Sequence, residues 1–463
     1  MSRKLVVAIY ELAWPVLVAQ LATMAFAVID TLMAGRFATD DLAAVGIGAS
    51  IYFSVFIALT GVLLAVTPTV AHLFGADRHA EIGEQVRQAL WLSAGLAVLS
   101  VLVFSFPEPF LALSRPPPAV ADKVRAYLAI SAWGAPAGFA FRLFASYTTA
   151  VSLPRIMMGL NLLGLALKVP LNLVLVFGHL GVPAMGSSGC ALATVIVSWL
   201  MGIAAWYVCA RGEQYRGHGV FSRWSWPRWR DQYRLLALGV PIGGTFFVDV
   251  TAFTFMALFI ARLGAVDSAA HQIAANVAAV CYMLPLSMGN AVGVLVGQAL
   301  GARNLALARS TGLVGIGLGI SFALLVAALL VVGAQRIADL YTTDANVSAI
   351  AATLLVLVAG YHVFDALQAL TVNTLRGYKR AVVPLFVNIA GMWLLGLAGG
   401  YAIGLTSAVD LAPLGVATPL GVRGFWWGAI AGMALATSAI VVYFLVVSAP
   451  QRVRAESAAA PIR

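Results

Sequence analysis

The chain has 463 residues, of which 62% are hydrophobic and 10% charged, with a mean hydropathy of +0.95. An ordinary soluble domain carries roughly 25% charge, so a soluble globular enzyme, a disordered chain and a secreted disulfide scaffold are excluded. Long unbroken apolar stretches also exclude an outer-membrane barrel, whose strands alternate in polarity. The expected fold class is an all-α polytopic membrane protein.

A spanning helix needs about 20 apolar residues. In chain order, apolar runs bounded by charges or Gly/Pro clusters predict twelve transmembrane helices. They lie near 8–34, 44–73, 86–107, 124–149, 156–178, 186–210, 235–262, 269–300, 308–334, 346–374, 382–405 and 422–448. The connections are short except 211–234, RGEQYRGHGVFSRWSWPRWRDQYR. That basic, Trp-rich segment reads as a cytoplasmic linker at the headgroup level. It joins two six-helix lobes, 1–210 and 235–448, and a cytoplasmic tail follows at 449–463.

The lobes repeat. A shift of 226 places Pro15 on Pro241, Arg36 on Arg262, and Gly75-Ala76 on Gly301-Ala302, all in one ungapped register. Six helices is an even number, so the repeats are expected to be parallel and related by an axis along the membrane normal. With both termini on one side, nineteen Lys/Arg fall there and seven opposite: Arg36, Arg115, Lys123, Arg125, Arg262, Arg336 and Arg423. The positive-inside bias then puts both termini in the cytoplasm. It also accounts for the formal net charge of +10 without a nucleic-acid partner. The start, MSRKLVVAIYELAW, runs into apolar sequence with no cleavage site, so no cleavable signal is expected. Cys190, Cys209 and Cys281 have no metal or redox spacing, and neither do the six histidines. Packing and interfacial roles are expected of them, with no cofactor and no structural metal.

The few polar residues inside the predicted spans carry the functional reading, because charge at the bilayer centre costs about 2.5–3.5 kcal/mol per residue on insertion scales. Asp30 sits in FAVIDTLMAG beside Thr31, Asp249 in TFFVDVTAF, and Asp365 in YHVFDALQALTVNTLRGY. Around Asp365, Tyr361, Gln368 and Asn373 share one helical face. A carboxylate in an apolar site can hold a proton near neutral pH, and it can also bind a cation. Lys168 lies mid-span in GLALKVPLNLVLVFG, with Asn172 one turn later, and Asp30 is the nearest candidate partner in its half. Arg142 lies nearer a helix end and is expected to snorkel. Aromatic residues such as Phe247 suit packing and cation–π contact with a lipophilic cation.

At these residues the chain resembles the multidrug and toxic compound extrusion (MATE) family, NorM subfamily, over nearly its whole length. The resemblance rests on PVLVAQ…FAVIDTLMAGR…DLAAVGIGASI, on GVPIGGTFFVDVT…AAHQIAANV, and on LYT and DALQALTVNTLRGYK. It implies a two-lobed, twelve-helix antiporter of the plasma membrane that exports cationic drugs in exchange for H+ or Na+, as a monomer in the lipid bilayer. It further implies coupling roles for Asp30, Asp249, Asp365 and Tyr361, with Na+ as a candidate ion at Asp249 and Asp365. Two departures stand out. Asp249 replaces the Glu usual in NorM relatives, and Lys168 replaces an Asn. An ammonium beside Asp30 would compete with Na+, so the amino-terminal lobe is expected to be H+-linked. Two other readings are a flippase of a lipid-linked saccharide, disfavoured because the intramembrane charges are mostly acidic, and an intramembrane aspartyl enzyme. The second lacks a Gly-x-Gly-Asp signature around Asp249 and Asp365.

Overall fold

The computed structural model describes residues 2–114, 116–406 and 419–449. Arg115 and the tail beyond 449, with Arg452, Arg454 and Arg463, lie outside the described residues. Among the described residues every regular element is helical. Eleven helices are long and apolar enough to cross a membrane, and a bent pair makes the twelfth span. We number the spans α1 (Ser2–Phe37), α2 (Thr39–Gly75), α3 (His79–Ser105), α4 (Pro118–Ala132 with Ala135–Ala150), α5 (Pro154–Phe177) and α6 (Ser187–Arg211). The second six are α7 (Trp229–Ile260), α8 (Ala265–Gly301), α9 (Leu305–Tyr341), α10 (Ala345–Gly377), α11 (Val382–Leu405) and α12 (Val422–Val447).

The helices run past their apolar limits because polar residues remain helical beyond the hydrocarbon. α9 continues to Tyr341 through Arg336 and Asp339, and it starts where the Asn304 side chain accepts from Leu307 N. Asp344 caps α10 in the same way. The span read near 124–149 is broken: α4 bends by 49° at Trp133–Gly134. Pro136 explains the break, since it has no N–H to give and its ring crowds the carbonyl four residues earlier.

The chain forms two compact units, Trp14–Gly243 and Met1–Ala13 with Gly244–Arg463. In the first, α2, α3, α4 and α6 bury Val45, Phe104, Val124, Leu128 and Cys190 in one cluster. In the second, α7, α8, α10 and α12 bury Met256, Ile273, Leu354, Tyr361 and Trp426. Lipid is as apolar as these side chains, so close packing of small residues holds such helices together. The α11–α12 seam shows it. Gly391, Gly400 and Gly404 face Gly432, Gly428 and Gly424, and a Cβ on Gly432 would lie 2.1 Å from the Gly391 carbonyl oxygen. Residues Ile389–Gly399 of α11 wind as a π-helix, a form often found at functional sites.

Segment 211–234 packs within the unit Trp14–Gly243, strapped to α3. Arg87 Nη1 donates to Gly219 O at 2.6 Å and Val220 O at 3.0 Å, and its Nη2 to Glu84 at 2.7 Å. Gln88 donates to Trp226 O at 2.9 Å and accepts from Arg228 N at 2.8 Å, while Trp91 Nε1 donates to Ser225 O at 3.0 Å. His218 ends the short helix Glu213–His218, its Nδ1 2.6 Å from the Tyr147 hydroxyl and its ring stacked on His79 at 5.3 Å. Burial, with the His79 charge second, depresses the His218 pKa to about 4.

Three outcomes are expected. Gly432→Ala should destabilise the protein by about 1–3 kcal/mol through overpacking. Gly399→Ala, whose Cβ meets nothing within 4 Å, should leave the detergent melting temperature unchanged. For His218 the folded pKa lies below the unfolded value, so its contribution is intact above about 6.5 and is lost as pH falls toward about 4. Melting curves should therefore show His218→Gln losing less stability than the wild type across that window.

Candidate functional site

In the unit Trp14–Gly243 the site is built on α1, α5 and α6. Lys168 and Asn172 stand one turn apart on α5, on the same face, and both are 0% exposed. Lys168 Nζ pairs with Asp30 Oδ1 at 2.9 Å. It also donates to Cys190 O at 3.2 Å and to Thr194 Oγ1. An ammonium has three N–H donors, and these three acceptors use them all. Asp30, 6% exposed, takes a further bond from Asn172 Nδ2 at 2.7 Å, and its Oδ2 lies 3.4 Å from the Thr194 hydroxyl. The result is a buried, neutral pair inside a polar cage. Removing one partner of such a pair typically costs about 3–5 kcal/mol, because the other charge is left without compensation. Asn172 Oδ1 is buried with no hydrogen-bond partner. Thr31 is exposed and donates to Ala27 O at 2.9 Å; the structure does not bring it into the cage.

In the other unit the site lies on α7, α10 and α11. Asn388 Nδ2 donates to Asp249 Oδ1 at 2.7 Å, and Asn388 Oδ1 accepts from Gln368 Nε2 at 2.7 Å. The carbonyl of Gln368 is buried without a partner. Asp365 is partly buried and makes no side-chain hydrogen bond among the described residues, and the charge of Asp249 acts on it. Tyr361, one turn before Asp365, packs edge-on to Phe253 at 6.0 Å and Trp426 at 5.9 Å. Asn373 donates to Ala369 O at 2.8 Å and accepts from Arg376 Nη1 at 3.0 Å, so its amide is committed to its own helix. Phe247 is 54% exposed, and it is the neighbouring Phe246 whose ring lies 5.1 Å from the Arg376 guanidinium carbon. Among the described residues no cluster of His, Cys, Asp and Glu could hold a metal through three or more such ligands.

Sequence reasoning passed over four of these residues. Asn388 and Thr194 are uncharged, so a search for intramembrane charge skips them; a lone amide in VVPLFVNIAG was the available signal. Cys190 contributes its backbone carbonyl to Lys168 and its thiol to the Asp30 backbone carbonyl at 3.8 Å. Arg376 was counted with the loop cations, yet it is buried within α10 and interacts electrostatically with Asp249. The repeat relates the two units here. Thr23 bonds Asn161 at 3.2 Å, and shifts of 226 and 227 carry that pair onto Asp249 and Asn388. The bridge runs in opposite directions: the Thr23 hydroxyl donates to Asn161 Oδ1, whereas the Asp249 carboxylate accepts from Asn388 Nδ2.

The MatE family model matches residues 15–174 and 241–402. The probable multidrug resistance protein NorM of Aromatoleum aromaticum is 40% identical over 429 residues, covering 93% of this chain and 91% of that protein. The multidrug resistance protein PmpM of Pseudomonas aeruginosa is 38% identical over 423 residues, 91% of this chain and 87% of that one. The fold is similar to the crystal structure of the eukaryotic MATE transporter AtDTX14, with TM-score 0.85, 17% identity and 98% of each chain covered. It is also similar to the bent form of the Vibrio cholerae MATE transporter VcmN, with TM-score 0.83, 19% identity and the same coverage. On a match spanning both halves and relatives of this identity and coverage, the chain belongs to the MATE family.

Proposed function

We propose that the protein is a secondary active antiporter that exports cationic, lipophilic drugs across the bacterial plasma membrane in exchange for H+, with both termini cytoplasmic. Its MATE membership and multidrug-resistance relatives support export. The observation that carries the cation chemistry is the set of three carboxylates on apolar helices, of which Asp365 has no hydrogen-bond partner among the described residues. In this reading Asp249 and Asp365 attract the cationic cargo while ionised. An incoming H+, or Na+ at this unit, neutralises them and releases it. Tyr361 and Trp426 give the site an aromatic wall. Each charge moving inward gains about 2.3 kcal/mol per 100 mV of membrane potential.

The Asp30 cage supports H+ rather than Na+ as the ion of the unit Trp14–Gly243. The Lys168 ammonium already fills the place a free cation would take against Asp30. Protonation of Asp30 would break the ion pair and turn a neutral cage into one of charge +1. That change disfavours any cation nearby, so it couples proton entry to cargo release.

Two measurements test this. In everted vesicles, Asp30→Asn, Asp249→Asn and Asp365→Asn should each lower ethidium export at least tenfold, and unchanged export in all three would sink the exporter reading. In liposomes with separately imposed gradients, wild-type export should follow the H+ gradient through the Asp30 cage. Lys168→Ala should flatten its pH dependence; an intact pH profile would overturn the role given to Lys168. The double variant Asp30→Asn/Lys168→Met removes both charges and serves as the folding control.

A further inference from the structure

We propose that Arg142 is an oxyanion-binding residue of the unit Trp14–Gly243, taking the carboxylate of a lipophilic aryl acid or the phosphate of a lipid. This goes beyond the cation exchange proposed above and uses none of its residues.

Arg142 stands in the second half of α4, eight residues before that helix ends at Ala150, or roughly 12 Å at 1.5 Å per residue. A guanidinium at that depth needs a partner. Among the described residues it has none: Nε is buried and bonded to nothing, and no hydrogen bond or ion pair involves the side chain. The other buried cations differ. Lys168 fills all three donors, Arg87 binds two carbonyls and Glu84, and Arg376 binds Asn373 and lies over Phe246. Nor does the unit hold a spare buried acid. Asp30 is paired with Lys168, Asp41 with Lys123 at 2.5 Å, and Glu84 with Arg87.

Snorkelling does not describe this side chain, because a snorkelling arginine carries its whole guanidinium to water, whereas here Nε is enclosed. The terminal nitrogens are not enclosed, and the residue is only partly buried. A planar fork held at its root with its tips reachable fits the two oxygens of a carboxylate or phosphate. Its surroundings suit an aryl group. Gly138, one turn earlier on the same face, is so close to α2 that a Cβ would lie 3.0 Å from the Phe56 ring. Phe56 in turn lies 5.3 Å from Tyr52 and 4.7 Å from Phe139, ring centre to ring centre. An apolar ring laid against this ladder would bring its carboxylate to Arg142.

The test uses the purified full-length protein and 2-naphthoate, whose fluorescence reports binding, with methyl 2-naphthoate as the uncharged control. In lipid-free micelles the wild type should bind naphthoate at least tenfold more tightly than Arg142→Gln does. Arg142→Lys should fall between them, and the ester should not distinguish the three. Native mass spectrometry after extraction from phosphatidylglycerol bilayers separates the sources. Phosphatidylglycerol retained by the wild type, lost from Arg142→Gln and competing with naphthoate would assign the oxyanion to a lipid. Naphthoate binding without lipid retention would assign it to an acid. Equal affinity of the wild type for naphthoate and its ester, with no lipid retained, would overturn the proposal, whether or not the variants fold. The readout is binding, so it stands apart from the ethidium assay.

Discussion

The cost of holding a charge away from water governs the interior of this protein. Among the described residues, buried Asp30, Asp41 and Glu84 each sit on a cation, Lys168 meets a full set of acceptors, and Arg87 binds Glu84 and two carbonyls. In an apolar setting the alternative to pairing is neutralisation. A proton arriving at such a carboxylate therefore changes its bonding as well as its charge. The helices around it, packed through bare glycine backbone as in the α11–α12 seam, have little slack to absorb that change locally.

The two units solve the same problem differently from a common plan. The Thr23–Asn161 and Asp249–Asn388 bridges occupy matching places in the repeat. One unit keeps an acid there; the other moves its acid seven residues along α1 to Asp30, where the repeat puts Met256 in the second unit. Neutral bridging at one position and an ion pair at another leave each unit with its own charge balance. The repeat is thus a scaffold on which polar residues have been redistributed.

The helix count, the repeat and the three acids were legible from sequence because each depends on local chemistry: apolar length, register, and the rarity of charge in a span. Lys168 could be assigned a partner for the same reason, since a mid-span ammonium needs one. The bend in α4 was missed although Pro136 marks it, because hydropathy stays high through the break. Asn388 and Thr194 were missed because neutral polar side chains cost too little to stand out. The burial of Arg376 was not legible because its position at a helix end says nothing of the packing of Phe246 and Asn373 around it. Thr31 and Phe247, both read from sequence as lining residues, are exposed, and the Thr31 hydroxyl bonds the Ala27 carbonyl of its own helix.

The Lys168 cage has one further consequence. An ion that diffuses in from outside fills its site according to how much of it the surroundings contain. The Lys168 ammonium is attached to the backbone, so its effective concentration at Asp30 is set by the geometry of α5. Enclosed with three acceptors and no exposure, it lies beyond the reach of screening by salt. The charge state of that half of the molecule is accordingly buffered against salinity.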